Sequence, residues 1–165
     1  MRAIRFNHVS ISAPDLEASL RFYTEVLGLE RIPTPDFPGV DVRWVRIGDQ
    51  QLHLFKRDVE GPVYHHIGID VDDFEATYLK AKELGVLEPD GTFGVTSIRV
   101  LLDGAVQMYL RDPAGNLVEV CWPDVTTLDL SVFDKVQVLD EDRPQQGEAR
   151  AARLYMEPRG AEVGS

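Results

Sequence analysis

The sequence predicts an α+β protein made of two copies of one strand–helix–three-strand module, and three observations lead there. His8-Val9-Ser10-Ile11 running into Asp15-Leu16-Glu17-Ala18-Ser19 recurs 58 positions later as His66-Ile67-Gly68-Ile69 running into Asp73-Phe74-Glu75-Ala76-Thr77. The match continues through Glu25 and Glu83 and, after a slip of one, through Leu27-Gly28 and Leu84-Gly85. Such a repeat constrains architecture before any single residue does. In each half, alternating apolar and polar residues give way to apolar residues spaced by three and four, the change of period that separates strand from helix. Finally, Gln51-Leu52-His53-Leu54-Phe55 aligns with Leu117-Val118-Glu119-Val120-Cys121 at an offset of 66.

The elements follow in order. Residues 4–12 alternate and read as a strand. From Asp15 to Leu27 the apolar positions Leu16, Leu20, Tyr23 and Leu27 give a helix, capped by Asp15 and closed at Gly28. Leu29–Ile32 is a short strand before the Pro-rich loop from Pro33 to Gly39. Val40–Ile47 and Gln51–Lys56 form a hairpin about Gly48-Asp49-Gln50. The second half repeats this plan: a strand over Tyr64–Val71, a helix over Asp73–Leu84 closed by Gly85, and strands over Thr96–Leu102 and Val106–Arg111 joined at Asp103-Gly104. Asp112-Pro113-Ala114-Gly115-Asn116 is turn chemistry, and Leu117–Trp122 is the last strand. One module therefore covers about 4–57 and the other about 64–122, within a domain over 1–123. Residues 124–165 read as an extension of unassigned role, with Leu128–Val138 as a short helix or strand and Pro158 to Ser165 as a frayed end.

Composition narrows the partners. A net charge of −11 and a pI near 4.7 repel phosphates, so neither nucleic acid nor an anionic membrane surface is expected. Cys121 is the single cysteine, which excludes an internal disulfide and points to a reducing compartment. With no signal pattern and no apolar run long enough to span a bilayer, a cytoplasmic protein with a small-molecule substrate is expected.

The repeat also singles out chemistry. His8 and His66 open equivalent strands, and His53 and Glu119 occupy equivalent positions in the last strands of the two halves. Three imidazoles and one carboxylate suit Fe(II), Mn, Co, Ni or Zn, and a set without thiolate does not favour structural zinc. A lone histidine near a strand start is usually a rim or core residue; paired ligand types at two sets of equivalent positions make a metal centre the sharper reading. His65 points to the face opposite His66 and is expected at the surface or supporting the site. Cys121 is expected to be a small buried hydrophobe, Arg111 and Asp112 a salt bridge or turn cap, and Trp44 and Phe55 core or pocket lining.

These features resemble the vicinal oxygen chelate superfamily, which groups glyoxalases, bleomycin-resistance proteins and extradiol dioxygenases. The resemblance is carried by His8 and His66, by Phe22-Tyr23-Thr24-Glu25-Val26-Leu27-Gly28-Leu29, and by Arg111-Asp112-Pro113-Ala114-Gly115-Asn116-Leu117-Val118-Glu119, and it covers about 4–122. It implies two modules whose eight strands curl as a cupped mixed sheet around a divalent metal held by His8, His66 and Glu119, with His53 at a fourth, more variable position. Substrates of such enzymes chelate the metal through two neighbouring oxygens. Glyoxalase I carries a glutamate where His53 stands, and that glutamate is linked to proton abstraction. The chain is therefore closer to glyoxalase-like proteins with histidine there.

The leading expectation is a metal-dependent lyase or isomerase acting on a small oxygenated metabolite, with Glu119 as both ligand and base. An Fe(II) extradiol dioxygenase is the alternative that His8, His66 and Glu119 alone would serve. A fosfomycin-type thiol transferase shares that ligand set, although no phosphonate-binding loop is recognisable. The non-enzymatic alternative is a bleomycin-resistance-like drug binder, against which the intact ligand set argues. A homodimer is expected, with the modules paired within one chain or between two.

Overall fold

The computed structural model describes residues 5–59, 62–89 and 98–155. The strand predicted over Thr96–Leu102 lies partly outside them, as do residue 4 of the first strand and the end from Pro158 to Ser165. The first module consists of β1 (His8–Ser12), α1 (Leu16–Arg21), a π-helical turn over Phe22–Val26, and then β2 (Glu30–Ile32), β3 (Val42–Ile47) and β4 (Gln50–Phe55). The second consists of β5 (His66–Asp70), α2 (Phe74–Glu83), β6 (Ile98–Val100), β7 (Val106–Arg111) and β8 (Leu117–Trp122). The two βαβββ modules are thus present, in a mixed α+β fold.

The strands run in two sheets, ordered β1-β4-β3-β2 and, with an added β9 (Val136–Val138), β5-β8-β7-β6-β9. In each, the first strand lies parallel to the last strand of its module. The edges of β1 and β5 carry no ladder between them; a cleft of about 370 Å³ lined by both strands opens there. The modules are tied by side chains instead. Tyr23 donates from its hydroxyl to Asp112 at 3.1 Å, and Asn116 Nδ2 donates to the Ser12 carbonyl at 2.8 Å.

Local chemistry accounts for the helices. Asp15 and Asp73 accept from the backbone N–H of Ala18 and Ala76, each at 2.9 Å, and so cap α1 and α2. The helix expected to continue to Leu27 stays α-helical only to Arg21 and then widens. The wider turn lets the consecutive aromatics Phe22 and Tyr23 both reach the core, where the α period would turn one of them aside. Thr24 supports the change by donating its hydroxyl to the Leu20 carbonyl at 2.9 Å.

A single apolar core joins the modules between helices and sheets, with Leu52, Leu54, Ile69, Ile98, Met108, Val118 and Val120 on the inner strand faces. The extension joins it as well. Phe133 is buried against Phe74 and Tyr78, with ring centroids 5.8 and 4.9 Å apart. The chain then forms β9, a short α3 (Leu139–Asp142) and a 3₁₀ turn before Tyr155 reaches Asp70 on β5. Among the described residues no helix is long and apolar enough to cross a membrane.

Candidate metal centre

Strand alternation sorts the side chains. With Ile67, Ile69, Val118, Val120 and Met108 committed to the core, His66, Asp70, Glu119, Cys121, Gln107 and Tyr109 face away from the helices. The same rule places His8, His53 and Trp44 on the matching face of the first sheet.

On the second sheet, His66 Nε2 lies 3.1 Å from Glu119 Oε2. Glu119 is 5% exposed and accepts from three other groups: Gln107 Nε2 at 2.7 Å and Cys121 Sγ at 3.2 Å on Oε1, and the Tyr109 hydroxyl at 2.9 Å on Oε2. The edge of the His66 ring meets Tyr109 with centroids 5.9 Å apart. His66 Nδ1 lies 3.0 Å from the Tyr64 carbonyl, which can only accept, so Nδ1 carries the proton. In neutral imidazole, Nε2 then turns a lone pair toward a carboxylate oxygen. Two acceptors so placed need a cation in common, either a proton or a metal.

On the first sheet, the rings of His8, His53 and Trp44 form a stack. His53 lies 4.4 Å from His8 with planes 14° apart, and 4.3 Å from Trp44 with planes 8° apart. His8 Nδ1 meets Asn7 Oδ1 at 3.0 Å, which leaves its Nε2 for another partner. His53 Nε2 is taken up by Gln51 Oε1 at 2.9 Å. Burial, and then the neighbouring His8, hold the His53 imidazole below its ordinary pKa.

The four sequence-derived candidates therefore meet as two pairs, His8 with His53 and His66 with Glu119. No group of three or more metal-holding side chains is gathered among the described residues. The donor set nonetheless fits a divalent ion. The 3.1 Å between His66 and Glu119 is the spacing of neighbouring ligands on an ion with bonds of about 2.1 Å. Anchoring of Nδ1 on a backbone carbonyl is the usual support of a ligating histidine.

Sequence reading missed Gln107 and assigned no role to Tyr109, the two groups that hold the carboxylate. Their alternation on the strand before Glu119 was the available signal. Arg111 pairs with Glu88 at 2.6 Å, and Asp112 caps its turn by accepting from Ala114 and Asn116, so both of their expected roles are realised. Cys121 is buried, and burial with the neighbouring Glu119 charge pushes its thiol far above the usual range, which removes it as a nucleophile. His65 lines the cleft between β1 and β5.

Comparison with known proteins agrees with this architecture. Residues 5–120 match the family model of the Glyoxalase/Bleomycin resistance protein/Dioxygenase superfamily. Human mitochondrial methylmalonyl-CoA epimerase is 31% identical over 133 residues, which cover 70% of this chain and 72% of that protein. The ethylmalonyl-CoA/methylmalonyl-CoA epimerase of Cereibacter sphaeroides is 34% identical over 132 residues, covering 70% and 96%. Among solved structures, lactoylglutathione lyase from Agrobacterium tumefaciens aligns with a TM-score of 0.53 and 25% identity, covering 73% of this chain and 95% of that one. The fosfomycin resistance protein FosX of Listeria monocytogenes, solved with Mn(II), shares the fold at a TM-score of 0.60 and 17% identity, covering 72% and 92%. The repeat, the two βαβββ modules and these matches place the chain in the glyoxalase/bleomycin resistance protein/dioxygenase superfamily.

Proposed function

We propose that the protein is a divalent-metal-dependent isomerase or lyase, and that its reaction is epimerisation at a carbon next to the carbonyl of a small acyl compound, as the names of its epimerase relatives suggest. The observation that carries the reading is the His66–Glu119 pair at 3.1 Å, with His66 Nδ1 already committed to a backbone carbonyl. His66, Glu119 and His8 would hold the ion, with His53 as a fourth ligand if its ring leaves the stack. Such an ion supplies Lewis-acid stabilisation of negative charge developing on the substrate carbonyl oxygen.

The protein's own groups account for the rest. Tyr109 and Gln107 fix the orientation of Glu119 through one hydrogen bond to each oxygen. These bonds engage Glu119 as an acceptor and hold it in place while they last. Epimerisation breaks a C–H bond, gives its proton to a base on one face of the carbon and takes a proton on the opposite face from a second donor, here solvent water. In this reading Glu119 would be the base that takes the first proton, once Tyr109 turns its hydroxyl to the substrate. We take the active form to be a homodimer acting on a small molecule.

Protein loaded with Mn(II), Co(II) or Zn(II) should wash deuterium from D₂O into the 2-position of methylmalonyl-CoA, as read by NMR. Metal uptake without exchange overturns the epimerase reading, and failure to bind any of these ions overturns the metal centre itself. The stack supports a second reading. Face-to-face imidazoles aim their lone pairs in nearly parallel planes, so His8 and His53 as arranged cannot both reach one ion. That leaves two histidines and one carboxylate, the face used by Fe(II) dioxygenases. Oxygen uptake by Fe(II)-loaded protein with catechol tests it.

A further inference from the structure

The face of the second sheet that carries Glu119 also holds a cation with no acidic partner among the described residues. Ile98 and Val100 are in the core, so Arg99 between them faces the same way as Glu119. Strand register sets it directly opposite Gln107 on β7 and Gln137 on β9. Arg99 Nη2 donates to Gln137 Oε1 at a long 3.4 Å, and its Nε is buried without a hydrogen-bond partner among the described residues. The other arginines on this face of the two sheets are occupied. Arg111 is taken up by Glu88 and by the carbonyls of Val63 and Gly115, and Arg46 donates to the Gly48 carbonyl.

The contrast is sharp in a chain with 28 acidic residues against 17 basic ones. A buried guanidinium donor is ordinarily satisfied, and where no protein group does so, water or a ligand does. Trp44 repeats the pattern on the first sheet. It occupies the position opposite His53 that Tyr109 occupies opposite Glu119, and its Nε1 is likewise buried without a partner among the described residues. Both walls thus hold N–H donors that lack acceptors among the described residues, which suits an oxygen-rich, anionic ligand.

We infer that Arg99 is a specificity-determining residue that takes a carboxylate at the end of the substrate remote from the metal centre, with Gln137 of the extension as its support. The inference rests on the functional reading above for the location of the other end. Arg99 and Glu119 are separated by two strands and two residues, roughly 12 Å between backbones, and their side chains reduce that gap to the span of a short oxo-acid or acyl skeleton. A planar guanidinium is suited to a carboxylate because its donors match the two oxygens. Gln137 lies outside the stretch matched to the family, so this wall belongs to the extension of this chain.

The test compares two probes with the same chelating head, 2-oxoglutarate and 2-oxopentanoate, of which only the first has a distal carboxylate. Calorimetry on Mn(II)-loaded protein should show 2-oxoglutarate binding at least about tenfold tighter. Arg99→Gln should remove that preference with Mn(II) affinity unchanged, Arg99→Lys should keep part of it, and Arg46→Gln should leave it intact. Absence of the preference in the wild type, or its survival in Arg99→Gln, overturns the assignment. Failure of the wild type to take up Mn(II) overturns the functional reading instead, and the same two acids without metal then decide on Arg99 by the same criterion.

Discussion

His66 Nε2 and Glu119 Oε2 lie 3.1 Å apart, while Tyr109 holds the same carboxylate oxygen from the other side at 2.9 Å. The pair is thus oriented before any ligand arrives. Glu119→Gln and His66→Ala should each lower Mn(II) affinity by more than about a hundredfold, whereas Tyr109→Phe, which removes only an orienting contact, should cost about ten- to a hundredfold. Calorimetric titration of the three variants separates ligand from support. Equal, small effects in all three would mean that the pair is an ordinary ion pair.

Among the described residues few polar contacts hold the modules to each other, and Tyr23 with Asp112 is a buried one. Tyr23 is fully buried, and burial with the Asp112 charge pushes its phenol far above the usual range, so it remains a donor. Tyr23→Phe deletes one hydrogen bond and leaves Asp112 with Asn116 and two backbone donors. The expected loss is about 1 kcal/mol in urea unfolding. Asp112→Ala should cost more, about 2–3 kcal/mol, because it strands several of these donors.

Cys121 tests the field at the site without using metal. Its thiol is raised first by burial, then by the Glu119 charge and the hydrogen bond to it. At pH 8 the native thiol should react with a disulfide reagent at least about tenfold more slowly than the unfolded chain. Glu119→Gln removes the charge and should speed the reaction, while the burial contribution keeps it slower than in the unfolded chain. An unchanged rate would separate the thiol from the carboxylate.

The repeat made the two modules legible, because His8 with His66 and the two Asp-capped helices leave a trace that needs no tertiary knowledge. The pairing of His66 with Glu119 could be read for the same reason: parallel β5 and β8 place these two residues on one face. The histidine stack could not. It depends on Trp44 lying opposite His53 across β3 and β4, and sequence gives a strand's face more readily than the rotamers that fill it. The π turn was hidden too, since Phe22 and Tyr23 are both buried only because the turn widens. The extension was the largest gap. Its one buried core residue among the described residues is Phe133, with Val125, Leu128, Val132, Val136 and Val138 half-buried against the same core in no periodic pattern.

Phe133 gives that extension a measurable role. Its ring packs edge-on against Phe74 and Tyr78 and is 6% exposed, with Asp134 next to it accepting from the Tyr78 hydroxyl and Lys82. Phe133→Ala should destabilise the protein by about 3–5 kcal/mol, comparable to an aromatic truncation inside the first module. Thermal unfolding should stay a single transition, because the extension shares the core. A separate early transition, with the main one unmoved, would show the extension to be an independent appendage.

Tyr155 gives the far end of the extension a pH signature. Its hydroxyl donates to Asp70 at 2.6 Å, and burial, followed by the Asp70 hydrogen bond and charge, raises the phenol above its ordinary value near 10. A raised acid favours its neutral form in the fold, so the stabilisation is complete below the unfolded pKa and is lost as pH climbs past it. The stability difference between wild type and Tyr155→Phe should therefore be constant from about pH 7 to 9 and shrink above about 10. Absorbance at the phenolate band should show the wild type lacking one ionisation near 10 that Asp70→Asn restores toward that value, since the substitution removes the opposing charge. A phenol that ionises normally in the wild type would mean that Tyr155 does not hold Asp70 in solution, and the extension would then end at β9 without reaching across to β5.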